Sequence, residues 1–119
     1  MTDATVTPYP ETPAQLAAAI LDAIEAKPEA FDMTTWFSSR GPLMPDEEPD
    51  CGTTMCIAGW AAHLSGWTLD ESVAVKPGAR RWIEDAAADA LGHDLVNTTQ
   101  LFWLPPDDAL AILRELAGR

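Results

Sequence analysis

The sequence predicts an all-α fold: a compact single domain of about four main helices plus one or two short ones. Three observations predict it. Apolar residues recur at three- and four-residue spacings in several stretches. Alanine contributes 20 residues, mostly inside those stretches, and alanine favours helix over strand. Only one short run, Ser72-Val73-Ala74-Val75, reads as extended. At 119 residues the chain is long enough for one core and short for two.

Residues 1–11 hold two prolines and no periodicity, and read as a flexible N-terminal arm, with 12–119 as one helical domain. Thr12-Pro13-Ala14-Gln15 is a helix start: a threonine cap, a proline at the first helical position and a glutamine to close a capping box. Leu16, Ile20 and Ile24 then form one apolar stripe, until Lys27-Pro28 ends the helix. Phe31 to Phe37 is dense in large apolar groups but short, and reads as a turn or one helical turn laid over the core. Ser38 to Asp50, with three prolines and four acids, reads as a solvated loop. A helix from Thr53 or Thr54 to about Ser65 follows from Ile57, Trp60, Ala61 and Leu64 at i, i+3, i+4, i+7, with Gly66 as the stop. Pro77-Gly78 is a turn. Ala79 to Leu91 reads as a helix with Trp82, Ile83, Ala86, Ala87, Ala90 and Leu91 inward, and Gly92 ends it. Asn97 or Thr98 caps a short helix carrying Leu101, Phe102 and Trp103. Beyond Pro105-Pro106, Asp107 and Asp108 favour the start of a last helix with Ala109, Leu110, Ile112, Leu113 and Leu116 in its stripe.

Charge excludes several function classes. Seven Lys and Arg stand against 19 Asp and Glu, a net charge of −12. Duplex binding draws its affinity from cations that displace counterions, so direct nucleic-acid binding is not expected. An anionic membrane surface is opposed for the same reason. No apolar run reaches the length of a membrane span, and residues 1–15 have neither the basic start nor the apolar stretch of a secretory signal. The expected compartment is the cytoplasm. There, Cys51 and Cys56 default to free thiols.

The most specific stretch is Cys51-Gly52-Thr53-Thr54-Met55-Cys56-Ile57-Ala58-Gly59-Trp60-Ala61. Gly59 costs about 1 kcal/mol relative to alanine inside a helix, so a second backbone packing against it is expected. Gly59 lies with Ala58 and Ala62 on a small-residue face, and Trp60 on the apolar stripe with Ile57, Ala61 and Leu64. The string resembles a group of small uncharacterised proteins from actinobacteria, other bacteria and their bacteriophages. Phe31-Asp32-Met33 with Trp36, then Leu91-Gly92 and Leu101-Phe102, resemble that group's flanking landmarks, so the likeness covers roughly residues 12–104. The resemblance implies an accessory gene product, often phage-encoded. It brings no catalytic residues to carry over.

No catalytic set assembles from the sequence. Cys56, in the first turn of its helix, has the placement a reactive thiolate wants, but His63 is two turns away, about 10 Å along the axis. A buried structural thiol is the leading reading. A Cys51–Cys56 disulfide, a metal ligand or a nucleophile stay open beside it. Cys51, Cys56, His63 and His93 number the four of a structural zinc site, but their spacing fits it poorly. Gly52-Thr53-Thr54 reads as a cap rather than a phosphate loop. No cofactor, metal or catalytic residue is assigned.

Of the five tryptophans, Trp60 and Trp82 read as core, while Trp36, Trp67 and Trp103, near turns, are the candidate interaction surface. The expected function is therefore that of a non-catalytic protein that binds another protein of host or phage, with homo-oligomerisation left open. Two alternatives come from other classes. One is a thiol-dependent enzyme or redox sensor using Cys56. The other is an acidic nucleic-acid mimic that blocks a DNA-binding protein.

Overall fold

A computed structural model describes residues 9–49 and 52–119. The first helix, α1 (Pro13–Ala26), starts as its sequence dictates. The Thr12 hydroxyl accepts from the Gln15 amide at 3.1 Å, and the Gln15 side chain accepts from the Glu11 amide at 2.9 Å. Leu16, Ala17, Ile20, Leu21 and Ile24 are buried. A single 3₁₀ turn, Pro28–Ala30, follows.

The second helix, α2 (Ile57–Leu64), begins later than Thr53 or Thr54 because the preceding backbone is used elsewhere. Thr54 exchanges two hydrogen bonds with Ser38, at 2.8 and 2.9 Å. The Met55 amide donates to the Ala30 carbonyl at 2.9 Å, and the Cys56 amide to the Thr35 carbonyl at 2.9 Å. Cys56 is thereby the N-cap, with extended backbone, rather than a first-turn residue. Every α2 residue from Ile57 to His63 is buried. The alanines at 58, 61 and 62 let α1, α3 (Ile83–Leu91) and the chain at 30–38 all come close to it.

The all-α expectation is overturned by a three-stranded antiparallel sheet, β1 (Thr68–Asp70), β2 (Val73–Lys76) and β3 (Ala79–Trp82), in that order. Leu69 pairs with Ala74, and both are buried. Glu71-Ser72 makes the first turn, with Glu71 at φ 55°, and Pro77-Gly78 makes the second. In that second turn proline presets one central residue and glycine, at φ 80°, takes the other. Leu43 of the 38–49 loop exchanges hydrogen bonds with Leu69 at 2.8 and 2.9 Å, and both side chains are buried, so this loop is anchored rather than wholly solvated.

The hairpin shortens the helix expected from Ala79: residues 79–82 are strand β3, exposed along its whole length, and α3 starts only at Ile83. The short helix expected from Asn97 or Thr98 is instead α4 (His93–Thr99), and Leu101–Trp103 form a 3₁₀ turn after Gln100. The last helix, α5 (Pro106–Ala117), lies along α1 with Ala109 and Leu113 buried. Leu110, Ile112 and Leu116 pack on the same core. Among the described residues no helix is long and apolar enough to cross a membrane.

Candidate functional site

The site is built outward from Gly59. A Cβ there would lie 2.3 Å from the Trp36 carbonyl oxygen and 2.6 Å from the Met55 Cβ, so only glycine lets the two backbones meet. The expected neighbour of Gly59 is thus the backbone that carries Trp36. From this anchorage Trp36 meets two aromatic rings of the 3₁₀ turn edge-on. Its ring centroid lies 5.2 Å from that of Trp103, at 84°, and 6.0 Å from that of Phe102, at 87°. Such perpendicular contacts suit the ring quadrupoles.

A cavity of about 80 Å³ opens beside this corner, lined by Met33, Thr34, Trp36, Cys56, Phe102 and Trp103 among others. Trp103 and Phe102 also line a second hollow, of about 330 Å³, with Glu84, Asp85, His93 and Gln100. Asp85 also lines a third hollow, of about 530 Å³, with Val73, Arg80, Arg81 and Trp82. Trp103 and Trp82 are 69% and 58% exposed. They stand on adjoining hollows that meet at Asp85.

The structure divides the tryptophans differently from the sequence reading. Trp103 is exposed and Trp36, half-buried, supports it. Trp67 belongs elsewhere: it is half-buried with the Lys76 ammonium 4.6 Å from its ring centroid, in a groove with Pro10, Leu16 and Ala90. Trp82, expected in the core, is exposed. The hairpin ends on it, and its extended backbone makes it the cap of α3 rather than part of that helix's apolar stripe. Only Trp60 is a core tryptophan, 2% exposed.

Cys56 is a free, buried cysteine, and Cys51 lies outside the described residues. Burial pushes the Cys56 thiol above its ordinary pKa, against a smaller opposite pull from the amides of Gly59 and Ala58. That is the reverse of what an activated nucleophile needs. His63 is 4% exposed, and burial pushes its imidazole below the usual histidine value, with the Glu47 carbonyl pulling the other way. Its Nδ1 and the Trp60 Nε1 have no hydrogen-bond partner among the described residues. His93 is exposed and pairs with Asp89, which also holds Arg81 at 2.8 Å. Among the described residues no three of His, Cys, Asp or Glu gather in a way that could hold a metal ion.

What these features define is a small mixed α/β domain with an aromatic surface corner. The chain matches no family model, no curated protein and no solved structure.

Proposed function

We propose that this chain is a non-catalytic accessory protein that acts by docking on another protein, as the group its cysteine–glycine–tryptophan motif resembles would suggest. The observation that carries the reading is the pair of exposed indoles on adjoining hollows, Trp82 and Trp103. Single exposed apolar residues are ordinary on a soluble protein. Two exposed tryptophans on hollows that share Asp85 are more than that, and tryptophan is enriched among the residues that dominate binding energy. Trp103 is also braced from below by Trp36 and does not rest on the surface by itself. The thiol-dependent alternative has less support, since Cys56 is buried and its thiol disfavours ionisation.

Affinity capture tests the reading, with wild type and the Trp82→Ala, Trp103→Ala double variant run in parallel against lysate of the organism that carries the gene. The expected result is a partner retained by the wild type and reduced about tenfold or more by the double variant, as removal of hot-spot residues does. Identical protein sets from both baits would overturn it.

A further inference from the structure

We infer that the Trp36–Trp103 corner receives an arginine side chain of the docking partner. This inference rests on the docking reading above and adds the chemistry of what is docked.

Shape comes first. The rings of Trp36 and Trp103 stand at 84° with centroids 5.2 Å apart, so each closes one side of a right-angled notch. The adjoining cavity, about 80 Å³, is several-fold smaller than the several hundred Å³ of ordinary small-molecule sites. It has room for one side-chain head group and not for a metabolite.

Charge decides which head group. Aromatic faces carry negative potential and attract cations. Glu84 and Asp85 line the second hollow beside Trp103. Thr34 lines the cavity, and its hydroxyl and amide hold the Asp32 carboxylate at 2.6 and 2.9 Å. Two carboxylates, Glu84 and Asp85, therefore share a hollow with the exposed indole, in a chain whose net charge is −12. Among the described residues neither hollow is lined by a lysine or an arginine. Elsewhere in the chain, Lys76 sits over Trp67 with its ammonium 4.6 Å from the ring centroid. That contact is the intramolecular version of the one inferred here. A guanidinium suits the notch better than an ammonium, because it stacks flat on an indole and can fork onto a neighbouring carboxylate. Phosphate or an acidic peptide would meet the carboxylates of Glu84 and Asp85 beside Trp103.

The test uses the full chain, a short peptide of sequence Gly-Arg-Gly-Arg-Gly with blocked ends, and its counterpart with citrulline in place of arginine. Citrulline keeps the shape and removes the charge. In a titration followed by the five indole N–H signals in a nitrogen–proton correlation spectrum, the arginine peptide is expected to move Trp36 and Trp103 and leave Trp60 and Trp67 in place. It should bind about tenfold tighter than the citrulline peptide, the factor expected for a partly desolvated cation–π contact. Trp103→Ala should abolish the Trp36 shift. Glu84→Gln with Asp85→Asn should weaken binding several-fold while the folded spectrum is retained. Equal binding of the citrulline peptide would overturn the inference. So would tighter binding of a glutamate peptide or a single-stranded oligonucleotide, or an arginine response that survives Trp103→Ala. If the peptide fails while Trp103-dependent capture of a partner persists, the cationic chemistry is wrong and the docking reading stands. If capture is also lost, both fall.

Discussion

Trp60 and Trp103 place the same side chain in opposite surroundings. Trp60 stands in the middle of α2, buried, with its indole N–H unpaired among the described residues and its ring edge-on to His63 at 6.3 Å. Trp103 ends a 3₁₀ turn and presents most of its ring to solvent. The backbone of Trp36, pressed onto Gly59, connects the two regions: α2 sets where Trp36 sits, and Trp36 sets where Trp103 stands. The comparison teaches that the most distinctive string in the sequence and the most exposed aromatic surface divide their work. The first fixes a frame and the second is held out on it. Perturbing the buried region should cost stability, and perturbing the exposed one should cost binding.

The largest expected effect is at Gly59. Gly59→Leu should destabilise by about 3 kcal/mol or more, because the nearest obstructing atom is the Trp36 backbone carbonyl oxygen, which cannot move aside cheaply, with the buried Met55 side chain next to it. Gly59→Ala is the sharper variant, since helix propensity alone would make it about 1 kcal/mol more stable. A urea melt showing Gly59→Ala less stable than wild type supports the close approach, and a gain would break it. Next is His63. Its pKa is depressed in the folded state, so its contribution to stability is intact above the unfolded histidine value, near 6.5, and is lost as pH falls toward the folded one. From pH 7 to 5 the wild type should lose stability at up to about 1.4 kcal/mol per pH unit more steeply than His63→Leu. Parallel slopes would show that His63 takes up its proton as readily when folded. Smallest is Trp82→Ala, which should change stability by no more than about 0.5 kcal/mol in the same melt. A larger loss would return Trp82 to the core side of the comparison.

Much of the helical frame was legible in the sequence, and the reasons are local. Thr12 with Gln15 writes a helix start into four residues, and Leu16, Ile20 and Ile24 write its buried face. The requirement at Gly59 for a neighbouring backbone also follows from one residue, although which backbone does not, because Trp36 reaches it through pairing between distant segments. The hairpin was misread because its strands are only three or four residues long and its first turn, Glu71-Ser72, lacks the glycine or asparagine that usually marks such turns. Trp82 and Ile83 also fall at helical spacing with the α3 stripe, so β3 looked like the first turn of that helix. The signal that could have separated them is Pro77-Gly78: after so tight a turn, β2 continues as β3 across Lys76–Ala79. Trp36 and Trp103 stand near turns, where a ring can leave the core. The carboxylates beside Trp103, Glu84 and Asp85, come from α3, which only the tertiary fold brings to the same hollow.

The most direct test of the division between frame and surface measures two quantities on one variant. Trp103→Ala loses an edge contact with Trp36 worth about 1 kcal/mol or less, and little buried area. Its urea midpoint should therefore stay near that of wild type while the arginine-peptide response of Trp36 and the capture of a partner both disappear. A variant that unfolds early, or one that is equally stable and binds as before, would contradict the account.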